Sequence, residues 1–416
     1  MHSQLNQQQK HVFDTIISKF ESDPRNSQFF LQGPVGTGKT FVYNTLCNYY
    51  KSKNEIVLCV ASSGIAALLL PDGQTSHSLF KIPLSIDECF TCSIRKDSDL
   101  AGPTQRANLI IWDEVPMQHK YCFEAVHRTF QDICDDLEEL YLLGGEPVVL
   151  DGDSAQIPLV VRRVISLAKA SSLETHPEHA PKSFLNENDI AFARFLADVF
   201  YSSSLQGNIV LPSFIHQTTQ LAEFISRIYK DEDIRRPNLS SQVYFGERVI
   251  LASRNDTVNT ISMAVLEKTP GEKVTLLSTD SADINDADGL HTIPTEYLQS
   301  VNPSGLPPSQ LELKVGAPVM LLRNIDPVRG LCNGTRLIVM HIGQYMLRVR
   351  LANKLDAPIE LIPRFTLSAL EDNMSFMLTR KQFSVKLCFA MTINKSQGQS
   401  LEYVGIDLRR PPCMHG

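Results

Sequence analysis

Phe29-Phe30-Leu31, then Gly33-Pro34-Val35-Gly36-Thr37-Gly38-Lys39-Thr40, is the stretch that decides the fold class. A short apolar run leads into G-x-x-x-x-G-K-[ST], and Phe41, Val42, Thr45, Leu46 and Tyr49 follow at helical spacing. That order reads strand, loop, helix. Glycines let backbone N–H groups turn inward around phosphate oxygens, and the N-terminus of the following helix adds positive potential. Lys39 is placed to reach the β- and γ-phosphates and Thr40 to put a hydroxyl on Mg²⁺. A chance match in a chain of this length has odds on the order of 1%. Gly33, Gly36, Thr37, Gly38, Lys39 and Thr40 are therefore read as a nucleoside-triphosphate cradle.

Working outward, three more apolar runs end in polar turns. Ile56–Val60 precedes Ser62-Ser63-Gly64, Leu109–Trp112 precedes Asp113-Glu114, and Val148–Leu150 precedes Gly152-Asp153. Runs this apolar suit strands covered on both faces of a parallel sheet, which binds ligands at its carboxyl ends. Asp113 is expected to hold Mg²⁺ through water and Glu114 to polarise the attacking water as general base; a strand-to-helix cap is the plainer reading of the same pair. Gln156, after Gly152-Asp153, either senses the γ-phosphate or belongs to a turn. Asn6 and Gln9 fit a helix-capping box, and Gln9 also suits recognition of the ATP base; the two roles can coexist. Trp112 is expected in the core.

A second set of runs, at 249–252, 389–393 and 403–406, repeats the pattern. Between them, from about Leu290 to Arg380, short alternating runs and prolines read as a β insertion. The organisation expected is two α/β halves, 1–205 and 206–416, the second carrying β structure at about 290–380. Asn333-Gly334 reads as a tight turn, and Arg380-Lys381 as a solvated turn or a phosphate contact. The 416 residues are 43% apolar, and the formal net charge of −7 excludes a global basic coat, though not a local groove. Nine scattered cysteines, with Cys89 and Cys92 as a lone C-x-x-C, favour reduced thiols over zinc. Met1-His2-Ser3-Gln4 lacks a signal pattern and no stretch suits a membrane span, so an intracellular chain is expected.

The ensemble resembles the petite-integration-frequency (Pif-type) helicases of superfamily one, and their Helitron-transposon relatives in particular. Ala61–Ala67, Thr75–Ser78, Trp112–Met117, Gly152–Pro158, Leu321–Asp326, Gly330–Arg336 and Ala390–Gln399 carry the likeness beside the glycine-rich loop. The resemblance implies two RecA-like P-loop domains with parallel sheets and a small β-barrel-like insertion in the second. It implies ATP clamped between the domains with Mg²⁺, single-stranded DNA lying across both, 5′→3′ translocation and unwinding at duplex junctions. It places Ser62, Ser63, Thr75 and His77 on DNA from the first domain, and Asn394, Lys395, Ser396 and Gln397 from the second. Hydroxyls and amides at strand ends can grip phosphates without reading sequence, as a motor must. For His77 a buried, hydrogen-bonded histidine fits equally well. A monomer working on nuclear or mitochondrial DNA, in repair, recombination and telomere maintenance, is the setting the resemblance implies.

Two departures bear on activity. No Asn-Met-Arg triplet lies between Val161 and Phe192, and the sequence stops at His415-Gly416, where the family continues into Gln-Leu-Tyr-Val-Ala-Leu-Ser-Arg. The chain thus reads as C-terminally truncated and lacking both arginines. Arginines that neutralise a transferring phosphoryl group are worth about 10³–10⁵ in rate. Slow hydrolysis, or a nucleotide-gated DNA-binding remnant, is the alternative this sets against a competent motor.

Overall fold

The apolar run at Phe29 forms strand β1, Gln28–Gln32, with Phe29 and Leu31 buried. The computed structural model describes residues 1–33, 37–83, 87, 89–96, 98, 101–134, 141–153, 171–174, 195, 210–235, 240–283, 293–303, 305–352, 354, 356–369, 376–399 and 401–410. Two compact units divide the chain between Gln217 and Thr218.

In the first unit β1 is joined by β2 (Ile56–Ala61), β3 (Gln74–Thr75), β4 (Ala107–Asp113), β5 (Val148–Gly152) and β6 (Ser171–Glu174). All pair parallel, in the order β3-β2-β4-β5-β1-β6. Helices α1 (Gln7–Ser22), α2 (Lys39–Ser52), α3 (Gly64–Ala67), α4 (Ser76–Leu79), α5 (Ala101–Gln105) and α6 (Lys120–Ile133) accompany the sheet. The expected capping box opens α1: Gln9 N–H donates to Asn6 Oδ1 at 2.8 Å, and Asn6 N–H donates to Gln9 Oε1 at 3.1 Å. Such a cap stabilises by about 1 kcal/mol. Val12, Phe13, Ile16, Ile17 and Phe20 recur at three- and four-residue steps, so one face of α1 is buried against β1 and α2. Burial of each is worth about 1.5–3 kcal/mol. Trp112 is fully buried in a second core with Phe80 and Phe123, where the sequence placed it.

The second unit begins its sheets with β7 (Arg248–Ala252). Then come β8 (Val274–Leu277), β9 (Thr279–Asp283), β10 (Gln310–Leu313), β11 (Pro318–Leu321), β12 (Arg336–Ile342), β13 (Met346–Leu351), β14 (Glu360–Ala369), β15 (Met377–Phe383) and β16 (Val385–Leu387). The chain returns as β17 (Ala390–Thr392) and β18 (Tyr403–Asp407), which flank β7 in a parallel three-stranded sheet. The strands between form a seven-stranded antiparallel sheet, β16-β11-β12-β13-β14-β15-β9, and a two-stranded pair, β10-β8. Val319, Leu337, Val349, Ile362 and Phe383 fill its core.

These antiparallel strands begin at Val274 and end at Leu387, wider than the stretch at about 290–380 that alternation marked. The polar Thr279–Asp283 carries no apolar periodicity; it is a strand because β15 pairs with it. Arg380 is a second correction. It is no solvated turn but a fully buried residue within β15, ion-paired to Asp280 at 2.8 Å. Its guanidinium also donates to the carbonyls of Leu298, Val301 and Pro307. Lys381, next along the strand, alternates to the exposed face. Asn333-Gly334 does turn: Thr335 N–H donates to Cys332 O at 3.0 Å, with Gly334 at φ 92°. Among the described residues no helix is long and apolar enough to cross a membrane.

Candidate functional site

The glycine-rich loop leaves the carboxyl end of β1 and enters α2. Gly33, Thr37, Gly38, Lys39 and Thr40 are described; Gly36 lies outside the described residues. Gly38 stands at φ 83°, the left-handed N-cap of α2. That backbone conformation favours glycine, and a Cβ there would push aside Gln9 Nε2, which lies 2.3 Å from its position. Lys39 Nζ donates to the Gly33 carbonyl, which folds its side chain back over the loop. Gln9 Nε2 donates to Thr37 O at 3.2 Å. One glutamine thus both caps α1 and touches the loop.

β5 separates β1 from β4, so Asp113 heads a strand about 10 Å from β1. Asp113 is 5% exposed, and its Oδ1 accepts Glu114 N–H at 2.9 Å. Glu114 holds φ 55°, ψ 41°, a left-handed conformation that costs a non-glycine residue about 1–2 kcal/mol. Its carboxyl is pushed up to about 7, first by burial and then by Asp113, with Lys39 pulling the other way. Gly152 lets the Val115–Met117 turn pack down: a Cβ there would meet Pro116 Cδ at 2.5 Å. Gln156 lies outside the described residues.

Sequence reading missed Asp151. It occupies the β5 rung beside Asp113, one step beyond the Trp112–Leu150 pair. It is 4% exposed, and its Oδ1 is buried without a hydrogen-bond partner. Burial and Asp113 hold its carboxyl well above the ordinary range, and Lys39 opposes them. The fully buried Tyr43 hydroxyl faces the same acids, which, after burial, push it up. The signal available was an aspartate breaking the apolar run at its last position, but a turn explained it as well.

An excess of buried carboxylate around one lysine suits a cation. Among the described residues no three His, Cys, Asp or Glu side chains could hold one by themselves. Mg²⁺, which keeps few protein ligands and completes its shell with phosphate and water, fits that donor set through Thr40 and Asp113.

Ser62, Ser63, Thr75 and His77 gather at the carboxyl ends of β2 and β3, which pair through Ala61 and Thr75. Ser63 and Thr75 cap α3 and α4 through Ala66 N–H and Ser78 N–H. Ser62 Oγ donates to Gln118 Oε1 at 3.1 Å, and its N–H donates to Asp113 O at 3.1 Å. The same Gln118 oxygen accepts from Ser76 Oγ at 2.9 Å and Trp112 Nε1 at 3.2 Å. His77 is half-buried, and burial pushes its imidazole down. In the second unit Asn394, Lys395 and Ser396 form the turn Ile393–Ser396 after β17, with Gln397 next. Asn394 is exposed, and Ser396 Oγ donates to Ile393 O at 2.7 Å.

Fold and loop together define a RecA-like P-loop protein of mixed α/β class, its later part carrying an antiparallel sheet. The family model described as PIF1-like helicase matches residues 4–175, and that of the DNA helicase Pif1 2B domain matches 296–342. Together they take in more than half of the sequence, and the chain belongs to the PIF1-like helicases. The zebrafish (Danio rerio) ATP-dependent DNA helicase PIF1 is 25% identical over 413 residues, 98% of this chain and 57% of that protein. Pif1 of Bdellovibrio bacteriovorus is 27% identical over 390 residues, 91% of this chain and 78% of that one. The chain therefore spans under two thirds of the zebrafish relative's length. Two solved structures share the fold at 20% identity and a TM-score of 0.63. Bacteroides Pif1 bound to ssDNA matches over 97% of this chain and 85% of its own, and Candida albicans Pif1 over 98% and 89%.

Proposed function

We propose that the chain is an ATP-driven DNA helicase that moves 5′→3′ on single-stranded DNA and opens duplex at junctions, with a single copy as the working unit. The observation that carries this is Glu114. It is strained into a left-handed conformation, half-buried beside Asp113, and poised near neutrality within reach of Lys39. Strain of that kind persists where the surrounding structure fixes it for use. In this reading Lys39 and the loop N–H groups hold the triphosphate, Glu114 takes a proton from the attacking water, and Gln156 registers the γ-phosphate. Mg²⁺, when bound, neutralises charge on the phosphate oxygens; Thr40 and Asp113 would hold it. Ser62, Ser63, Thr75 and His77, with Asn394, Lys395, Ser396 and Gln397, grip the strand by its backbone.

Support comes from relatives described as ATP-dependent DNA helicases and from a related Pif1 described as bound to ssDNA. Nuclear or mitochondrial DNA, the setting that the family resemblance implies, completes this reading. The test is phosphate release by the purified chain with and without oligo(dT), and strand separation on duplexes bearing a 5′ or a 3′ tail. DNA-stimulated turnover and opening of the 5′-tailed duplex alone are expected. ATP turnover that ignores DNA overturns the motor, and opening only from 3′ tails reverses the polarity.

A further inference from the structure

Several cations of the second unit are matched by carboxylates. Lys268 pairs with Asp231, Lys273 with Glu267 and Glu312, Arg329 with Glu360, Arg380 with Asp280 and Arg409 with Asp407. Among the described residues Lys386 and Lys395 have no such match, and unlike Lys314 and Arg336 they are not saturated by backbone carbonyls. Both are half-buried, and among the described residues neither has a carboxylate partner. Lys386 lies in β16, the edge strand of the antiparallel sheet, paired with Met320 of β11. β16 runs through Cys388 and Phe389 into β17 and then the turn that bears Lys395.

That turn is stitched to the 324–335 loop. Lys395 Nζ donates to Asn333 Oδ1 at 3.2 Å, and Asn333 N–H donates to Asn324 Oδ1 at 2.8 Å. Gln399 Nε2 donates to the carbonyls of Lys395 at 3.0 Å and Gly334 at 3.5 Å. Lys395 is thus held by neutral partners only. Burial pushes both ammonium groups down, and Lys386 adds repulsion to Lys395. On the same turn Gln397 Oε1 is buried with no hydrogen-bond partner. Two like charges drawn partly out of water, with no counter-ion, are costly unless an anion joins them.

We propose that Lys386 and Lys395 form a two-lysine clamp for the phosphate backbone of a polynucleotide strand, with Lys386 as a contact residue that its sequence motif does not announce. The clamp rests on the DNA-binding reading above and adds a second cation to it. It reads no bases, because ammonium groups on phosphates carry no sequence information.

The experiment measures binding of fluorescent oligo(dT) by the full chain across a salt series. On a single strand, each phosphate that is no longer neutralised lowers the slope of log K against log[salt] by about 0.7. Lys386→Met keeps the apolar stem and should bind about tenfold more weakly, with that reduction in slope, alike on oligo(dT) and mixed sequence. Lys386→Arg should retain both slope and affinity, and the double change Lys386→Met with Lys395→Met should lower the slope by about 1.4. Lys386→Gln serves if the methionine variant does not fold. Unchanged affinity and slope in a folded Lys386→Met or Lys386→Gln overturns the clamp while leaving DNA binding intact. A wild-type chain with no salt-dependent binding of oligo(dT) overturns the DNA-binding reading itself. Inorganic phosphate that binds the wild type, fails to bind Lys386→Met and leaves oligo(dT) binding untouched in both makes the ligand a free anion and overturns the polynucleotide.

Discussion

The carboxyl ends of the two parallel sheets share an architecture and carry opposite electrostatics. At the head of the first, Asp113, Glu114 and Asp151 crowd around Lys39. In the second, the turn after β17 bears Lys395 and the preceding strand β16 bears Lys386, and among the described residues neither pairs with an acid. Arg380 and Asp280 supply the contrast for both: a fully buried pair, matched in charge and saturated with hydrogen bonds. The lesson is that the Arg380–Asp280 pair is balanced within the protein, whereas the acids around Lys39 and the two lysines beside β17 are charge left for something from outside. Fold alone would not separate the two ends; the sign of the surplus does.

Variants can break or sharpen that contrast. The largest effect is expected from Glu114→Gln, which keeps the triphosphate bound and lowers phosphate release by about 10²–10⁴. Normal turnover there would remove Glu114 as the base and leave the acidic surplus unexplained. Next is Arg380→Met, which strands a buried carboxylate and should cost about 3–5 kcal/mol in denaturant unfolding. A loss under about 1 kcal/mol would mean the matched pair is not the structural counterpart taken here. Asp151→Asn keeps an uncharged side chain that can donate to Asp113 and removes the cost of protonating a buried carboxyl on folding, so at neutral pH it should stabilise the chain by about 1–2 kcal/mol while slowing turnover. A destabilised variant would show that Asp151 is balanced after all.

The smallest effect concerns Glu146, just before β5, at the opposite end of the first sheet. Burial pushes its carboxyl from 4.5 up to about 7. The native state therefore holds a proton that the unfolded chain releases, and the wild type loses stability as pH rises across that interval. Glu146→Gln has no such loss. Allowing for solvent screening, the variant should overtake the wild type by about 1 kcal/mol between pH 5 and pH 8, read as thermal midpoints. Turnover should not follow the change, because this surplus lies away from the loop.

Much of this was legible in the sequence because local chemistry wrote it there. The runs at Phe29, Ile56, Leu109 and Val148 became β1, β2, β4 and β5. A strand buried on both faces needs little beyond its own apolar side chains. Asn6 and Gln9 declared their cap through spacing alone. What stayed hidden depended on partners distant in sequence. Arg380 looked like a surface cation because Asp280 stands 100 residues away, and Thr279–Asp283 looked like loop because β15 supplies its reason to be extended. Asp151 escaped notice because only the register of β4 against β5 sets it beside Asp113.

Gln118 has a consequence of its own. A single amide oxygen receives Trp112 from the strand that ends in Asp113, Ser62 from the loop after β2 and Ser76 from the start of α4. Three segments are pinned at one point. A displacement of the acidic strand tip large enough to part Trp112 from that oxygen therefore breaks this tether or tows both hydroxyl-bearing loops along.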